Sequence, residues 1–141
     1  MNRIADHHIQ GRVVMHGHAD GVIPLRWIYD PRRPFAVTVD CGIDAVGARI
    51  VWTFARVALD VGRNRRVVDP GWVTVRPALG SGGRHVRLDL APPGGEVCTL
   101  MVRRQPLDAF LNEAFGLVPA GGELEHLDWD LAATDLFGVS R

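Results

Sequence analysis

The chain has 141 residues and a mass of 15.5 kDa, 47% hydrophobic and 23% charged, a composition that excludes disorder and argues for one domain over 1–141. All sixteen basic residues are arginine and sixteen acidic residues balance them, so the net charge is zero and nucleic-acid binding loses its strongest electrostatic support. No run approaches 18 consecutive apolar residues and the first residues lack the apolar core of a secretory signal, so a cytoplasmic protein without membrane insertion is expected.

In chain order, Ile9 to His16 reads as a first strand and Val22 to Tyr29 as a second, stopped by the turn Asp30-Pro31-Arg32-Arg33-Pro34. Phe35, Val37, Val39 and Cys41 then alternate with Ala36, Thr38 and Asp40, the period-2 pattern of a strand with one buried face. Ile50, Trp52 and Phe54 repeat it, which makes a hairpin of 35–41 with 48–54. Ala55 to Asp60, closed by Gly62, either extends that strand or forms one helical turn; the helical turn is preferred.

Beyond a polar loop and the turn Asp69-Pro70-Gly71, Trp72, Val73 and Val75 start a strand that Pro77 ends. Val86, Leu88 and Leu90 pair with 97–102 as a second hairpin across Pro92-Pro93-Gly94-Gly95. Pro106 suits a first helical position, and Leu107, Phe110, Leu111 and Ala114 recur at helical spacing up to Gly116. Leu127, Leu131 and Leu136 mark a second helix of roughly ten residues with acids in its first turn, where the helix dipole favours them. Six or seven strands followed by helices is an α+β plan with no internal repeat. The expected core is Phe35, Val37, Val39, Trp52, Phe54, Phe110 and Leu111.

No catalytic set emerges, so neither an enzyme nor a bound cofactor is expected. His16 and His18 would share a strand face, but no carboxylate or cysteine completes a metal set, and an exposed turn is preferred. Ser81 in Gly80-Ser81-Gly82-Gly83 lacks the lysine of a phosphate loop and reads as a hairpin tip. Cys41 and Cys98 read as two buried free thiols. The charge is mildly polar: residues 1–70 carry ten Arg against seven Asp, and residues 71–141 six Arg against nine acids. The sharp features are the cluster Arg63, Arg65 and Arg66, and an acidic stretch with Glu123, Glu125, Asp128, Asp130 and Asp135. Trp27, Trp52, Trp72 and Trp129 could stack bases, but Trp52 points inward by pattern and Trp129 stands between two aspartates.

Several segments resemble, in order, those of the SsgA-like proteins, actinobacterial regulators of sporulation-specific cell division. Leu25 to Val37, through Tyr29-Asp30 and Pro34-Phe35-Ala36-Val37, is similar to the family's LRY-D-x-x-x-PYAV segment, and Val51 to Arg56 to its V-x-W-x-FAR run, followed by Leu59 and Gly62. Val73, Val75 and Pro77 resemble its V-x-V-x-P strand, Leu107 to Leu111 its L-x-x-FL helix, Val118-Pro119 with Glu123 its VP-x-G-x-E turn, and Asp128 to Leu131 the start of its closing helix. Gly71-Trp72 departs from the family's Gly-Asp pair, and Arg76 replaces an aromatic residue.

The resemblance implies a twisted antiparallel β-sheet domain with C-terminal helices, of Whirly-like architecture. It also implies a homo-oligomer, a trimer, and a non-enzymatic adaptor that helps place septum proteins. The implied partners are division proteins, FtsZ or other SsgA-like proteins, met in the cytoplasm at division septa. The alternative is a single-stranded nucleic-acid-binding protein of the same architecture, which the neutral charge disfavours. The surface expected to meet a partner is the acidic closing helix with Asp128, Trp129, Asp130 and Leu136.

Overall fold

The computed structural model describes residues 3–15, 21–43, 47 and 49–137. Among these, eight strands form one antiparallel sheet: β1 (Ala5–Met15), β2 (Gly21–Tyr29), β3 (Ala36–Ile43), β4 (Arg49–Ala55), β5 (Val67–Asp69), β6 (Val73–Pro77), β7 (His85–Leu90) and β8 (Cys98–Arg103). The strand order is β4-β3-β2-β1-β8-β7-β6-β5, so lateral neighbours are also neighbours in sequence, except that β1 pairs with β8. The sheet curls until it nearly closes. At the remaining gap the Ala55 N–H donates to the Asp69 carboxylate at 3.1 Å, and helix α1 (Arg56–Gly62) packs against β4, β5 and β6.

Alternation explains the interior. Leu25, Trp27 and Tyr29 of β2, Val37 and Val39 of β3, Val86, Leu88 and Leu90 of β7, and Leu100 and Val102 of β8 all point into one core. One end of the sheet is stoppered by helix α2 (Arg104–Leu117), whose Leu107, Phe110, Leu111 and Ala114 form a buried stripe at helical spacing. Phe110 meets Trp27 and His7 with ring centroids 6.1 and 5.4 Å away. Gly62 ends α1 where a Cβ would fall 2.4 Å from the Val75 side chain, so only glycine lets the helix lie this close to β6.

The α+β plan, both hairpins, the helical turn after Ala55 and the hairpin tip at Ser81 are as expected. Several details differ. β1 begins at Ala5 rather than Ile9, because Ala5 to Ile9 pair with Leu25 to Tyr29 although His7 and His8 interrupt the apolar alternation. The three-residue β5 was not anticipated; it is too short to show a period and is held by its ladder to β6. α2 starts two residues before Pro106, which the helix tolerates because the first four helical N–H groups have no intrahelical acceptor. The single closing helix is two: α3 (Glu123–His126) and α4 (Trp129–Phe137), separated by an extended Leu127. Phe35 is half exposed rather than buried, because it lies in the β2–β3 turn one residue before the ladder begins. Trp52 packs on the core's edge and is only partly buried, and the thiols of Cys41 and Cys98 are likewise half-buried and free. His16 and His18 lie outside the described residues.

Candidate partner-binding surface

The inward alternation of β4 carries straight into α1, and it places Arg56 where another apolar side chain would stand. Arg56 is 2% exposed. Its guanidinium donates to the Val118 carbonyl at 2.7 Å, to the Ala114 carbonyl at 3.2 Å and to Glu123 at 3.0 Å, while Tyr29 and Phe115 pack on it at 4.8 and 4.1 Å from its centre. A buried charge is tolerated when it is hydrogen-bonded and paired and aromatic faces replace water. The first two acceptors belong to the residue after α2 and to its last turn, where the Ala114 carbonyl also accepts the capping Val118 N–H at 3.0 Å and the dipole favours a cation. Arg56 therefore fastens α1, α2 and α3 together. Glu123 also accepts from the Gly121 N–H at 2.8 Å; its own backbone N–H, then Arg56, hold its carboxyl below the ordinary range. Tyr29, whose hydroxyl donates to the Pro34 carbonyl at 2.9 Å, has its phenol pushed up to about 12 by burial. Its hydrogen bonds make this cluster a joint between α1, α2 and α3.

The joint supports the surface built by α3, α4 and the β2–β3 turn. Asp128 is half-buried and caps α4: its carboxylate accepts from the Leu131 N–H at 3.1 Å, and its own N–H donates to the Arg32 carbonyl at 3.0 Å. Arg33 grips α4 further along through Asp135, at 2.8 and 3.2 Å. The other expected residues lie outward: Trp129 is 68% and Leu136 78% exposed, with Asp130 beside them in the first turn. Beneath α4 runs an apolar groove of about 450 Å³ lined by Pro34, Phe35, Ala36, Leu127, Ala132 and Leu136. Phe35 also borders a smaller hollow of about 140 Å³ with Val57 and Phe115. Phe35 and Val57 were absent from the expected surface, and period-2 alternation gives no signal for an aromatic residue just outside a ladder.

The cluster Arg63, Arg65 and Arg66 does not act as three cations. Arg63 is held by Asp108 and Asp60 at 2.5 and 2.6 Å, which leaves Arg65 and Arg66 as the exposed pair. Of the four tryptophans, Trp27 is buried, Trp52 lies at the core's edge, and Trp72 and Trp129 are exposed. Trp72 occupies a left-handed backbone conformation, φ 68°, in the turn between β5 and β6.

The sequence profile of the family described as Streptomyces sporulation and cell division protein, SsgA, matches residues 23–123. The chain belongs to the SsgA family. It is 39% identical over 121 residues to the sporulation-specific cell division protein SsgB of Frankia casuarinae, covering 84% of this chain and 81% of that one. It is 37% identical over 109 residues to SsgB of Salinispora tropica, covering 77% and 75%. Among solved structures, an SsgA-like sporulation-specific cell division protein from Thermobifida fusca superposes with a TM-score of 0.78 at 25% identity, over 95% of this chain and 96% of that one. A structure described in work on SsgB mutations and longitudinal cell division in Streptomyces coelicolor gives 0.76 at 30% identity, over 90% and 98%. The nearly closed sheet with C-terminal helices is thus the SsgA-like fold. Arg56 and Glu123 lie within the span that the SsgA profile covers, whereas Asp128, Trp129, Asp130 and Leu136 lie beyond it.

Proposed function

We propose that this SsgA-family chain is a non-enzymatic adaptor of sporulation-specific cell division, which binds septum proteins such as FtsZ and acts in the cytoplasm at division septa. The observation that carries the reading is the apolar surface of Phe35, Trp129 and Leu136, left open to solvent on α4 and the β2–β3 turn, which Arg33–Asp135 and the Asp128 N–H bond to the Arg32 carbonyl hold together. Large exposed side chains on a fixed frame suit protein recognition, in which aromatic anchors dominate the binding energy. The buried Trp27 and the paired Arg63 weigh against the nucleic-acid alternative, since stacking needs open rings and phosphates need unengaged cations.

The test is co-sedimentation of the purified chain with polymerised FtsZ, together with septal localisation of a fluorescent fusion. Trp129→Ser combined with Leu136→Ser is expected to abolish both while melting and oligomeric state stay unchanged. Asp130→Arg is the charge probe of choice, because replacing Asp128 would also remove the α4 cap. Unchanged co-sedimentation by the double variant removes this surface from the proposal, and nanomolar binding of single-stranded DNA by the parent overturns the adaptor reading.

A further inference from the structure

Four strand ends meet beside the first turn of α2, and they bring together two sequence features that the α4 surface does not use, the arginine cluster and the glycine-rich tip. β5 and β6 are antiparallel with Val67 opposite Val75, so the chain entering β5, with Arg65 and Arg66, lies toward the Pro77 end of β6. At that same end the tip Leu79-Gly80-Ser81-Gly82-Gly83 joins β6 to β7, and His85 stands opposite Arg103 of β8. Arg104 ties these parts together. Its N–H donates to the Arg84 carbonyl at 2.7 Å, and its guanidinium to the Arg63 carbonyl at 2.9 Å and to Asn64 Oδ1 at 2.6 Å. A cavity of about 540 Å³ opens here, with Arg84, His85, Arg103 and Gln105 in its lining. Its one acid, Asp108, is held by Arg63 at 2.5 Å and lies 3.7 Å from Arg104. Arg65, Arg66, Arg84 and Arg103 are exposed, and among the described residues their guanidinium groups are bonded to no acid. The tip beside them is pinned: the Ser81 hydroxyl donates to the Ala78 carbonyl at 2.9 Å and accepts from the His85 N–H at 3.3 Å. A Cβ at Gly80, Gly82 or Gly83 would meet nothing within 4 Å, so the tip stands clear of the body, and Leu79 on it is 95% exposed.

We propose that this end of the molecule docks on an anionic lipid surface, with Leu79 entering the headgroup boundary and Arg65, Arg66, Arg84 and Arg103 meeting lipid phosphates. Guanidinium forks match phosphate oxygens two at a time. Charge alone would suit any polyanion, and Leu79 decides for a bilayer: an aliphatic side chain held out on a fixed tip gains nothing from a phosphate strand, whereas a bilayer interface takes it up beside cations. Zero net charge does not prevent this. The acidic α3 and α4 follow the far end of α2, whose 14 residues span about 21 Å, more than twice the Debye length of about 8 Å at physiological salt. The chain lies on the bilayer without spanning it, in keeping with the lack of any helix long and apolar enough to cross among the described residues. This site is independent of the α4 surface.

The experiment is flotation of the intact chain with phosphatidylcholine vesicles holding about 30 mol% phosphatidylglycerol, against vesicles of phosphatidylcholine alone. The chain is expected to float with the anionic vesicles only, and to be released as salt rises from about 50 to about 300 mM. At about fivefold for each arginine near the surface, Arg84→Gln with Arg103→Gln is expected to weaken vesicle binding about thirtyfold, and Leu79→Ser about tenfold, with melting unchanged. Trp129→Ser with Leu136→Ser is expected to float as the parent does, which separates this end from the α4 surface. Failure to float with anionic vesicles, equal flotation with phosphatidylcholine alone, parental binding by the arginine or the leucine variant, loss of flotation by the Trp129 and Leu136 variant, or displacement of the vesicles by oligo-dT at equal phosphate concentration would each overturn the proposal. If the Arg84 and Arg103 variant melts lower, Arg65→Gln with Arg66→Gln decides in its place, since both side chains stand in an exposed loop.

Discussion

Arg56 shows how one residue can set the chemistry of its surroundings. Its guanidinium is permanently charged, so its anionic partner is where pH acts. Glu123 in the folded chain has its carboxyl below the ordinary 4.5, chiefly through its own backbone N–H and then Arg56; Glu113 is lowered in the same direction, chiefly through His7, whose Nε2 lies 2.6 Å away. A carboxylate depressed by folding stabilises above its unfolded value and loses that contribution as pH falls through the folded one. Thermal melting is therefore expected to hold from pH 7 to about 5 and to decline below 4.5. Glu123→Gln should melt lower than the parent at pH 7 and decline less steeply in acid; parallel curves would rule out Glu123 as a contributor. Trp72 makes the opposite point, that a residue can cost stability where it stands. Its φ of 68° suits glycine or asparagine, and its ring is 56% exposed with little packing to lose. Trp72→Asn is expected to raise the melting temperature by a few degrees, on the order of 1 kcal/mol of relieved backbone strain. That strain could not be read from the sequence, which marked Gly71-Trp72 only as a departure from the family's Gly-Asp pair.

Elements were legible where their period was long enough to count. β3 announced itself through Val37, Val39 and Cys41, and α2 through Leu107, Phe110, Leu111 and Ala114. β5 has three residues and α3 four, fewer than a period needs, and tertiary pairing rather than propensity makes them. The same limit applied to the candidate site: Trp129 and Leu136 were found from an amphipathic helix, whereas Phe35 was assigned inward because parity cannot tell the last turn residue from the first ladder residue. Burial also reverses the ranking of two tryptophans. Trp27, fully buried between the sheet and α2, should cost about 3–5 kcal/mol when replaced by alanine, and the partly exposed Trp52 clearly less. Urea unfolding of both variants checks the order, and an equal loss would show that β4 is packed differently. The α1–β6 contact is tighter still. Gly62→Ala should destabilise by about 1–3 kcal/mol, since the added methyl would meet Val75 well inside contact distance; unchanged thermal melting would mean that α1 shifts freely.

At the scale of the molecule, the nearly closed sheet leaves β4 and the short β5 as its outer strands, and apolar side chains such as Ile50, Val51 and Val68 on them are exposed. Association would cover these edges, and a homotrimer, the state the family resemblance implies, is the expected outcome. Light scattering at micromolar concentration should report about three times 15.5 kDa; a lone monomer peak would exclude it. The fold class was legible because strands precede helices along most of the chain, but the near closure was not, since the β1–β8 pairing joins segments that no local pattern connects. That pairing has a temporal consequence. On the edge turned away from β2, Gly11 to Met15 pair with Cys98 to Val102, so during synthesis that edge of β1 waits for nearly the whole sheet to be made. At ribosomal speeds the wait is roughly 5–20 s, long on the timescale of hairpin formation, and throughout it the nascent first half presents an open strand edge. Chaperone demand during translation should therefore fall sharply once β8 has left the exit tunnel.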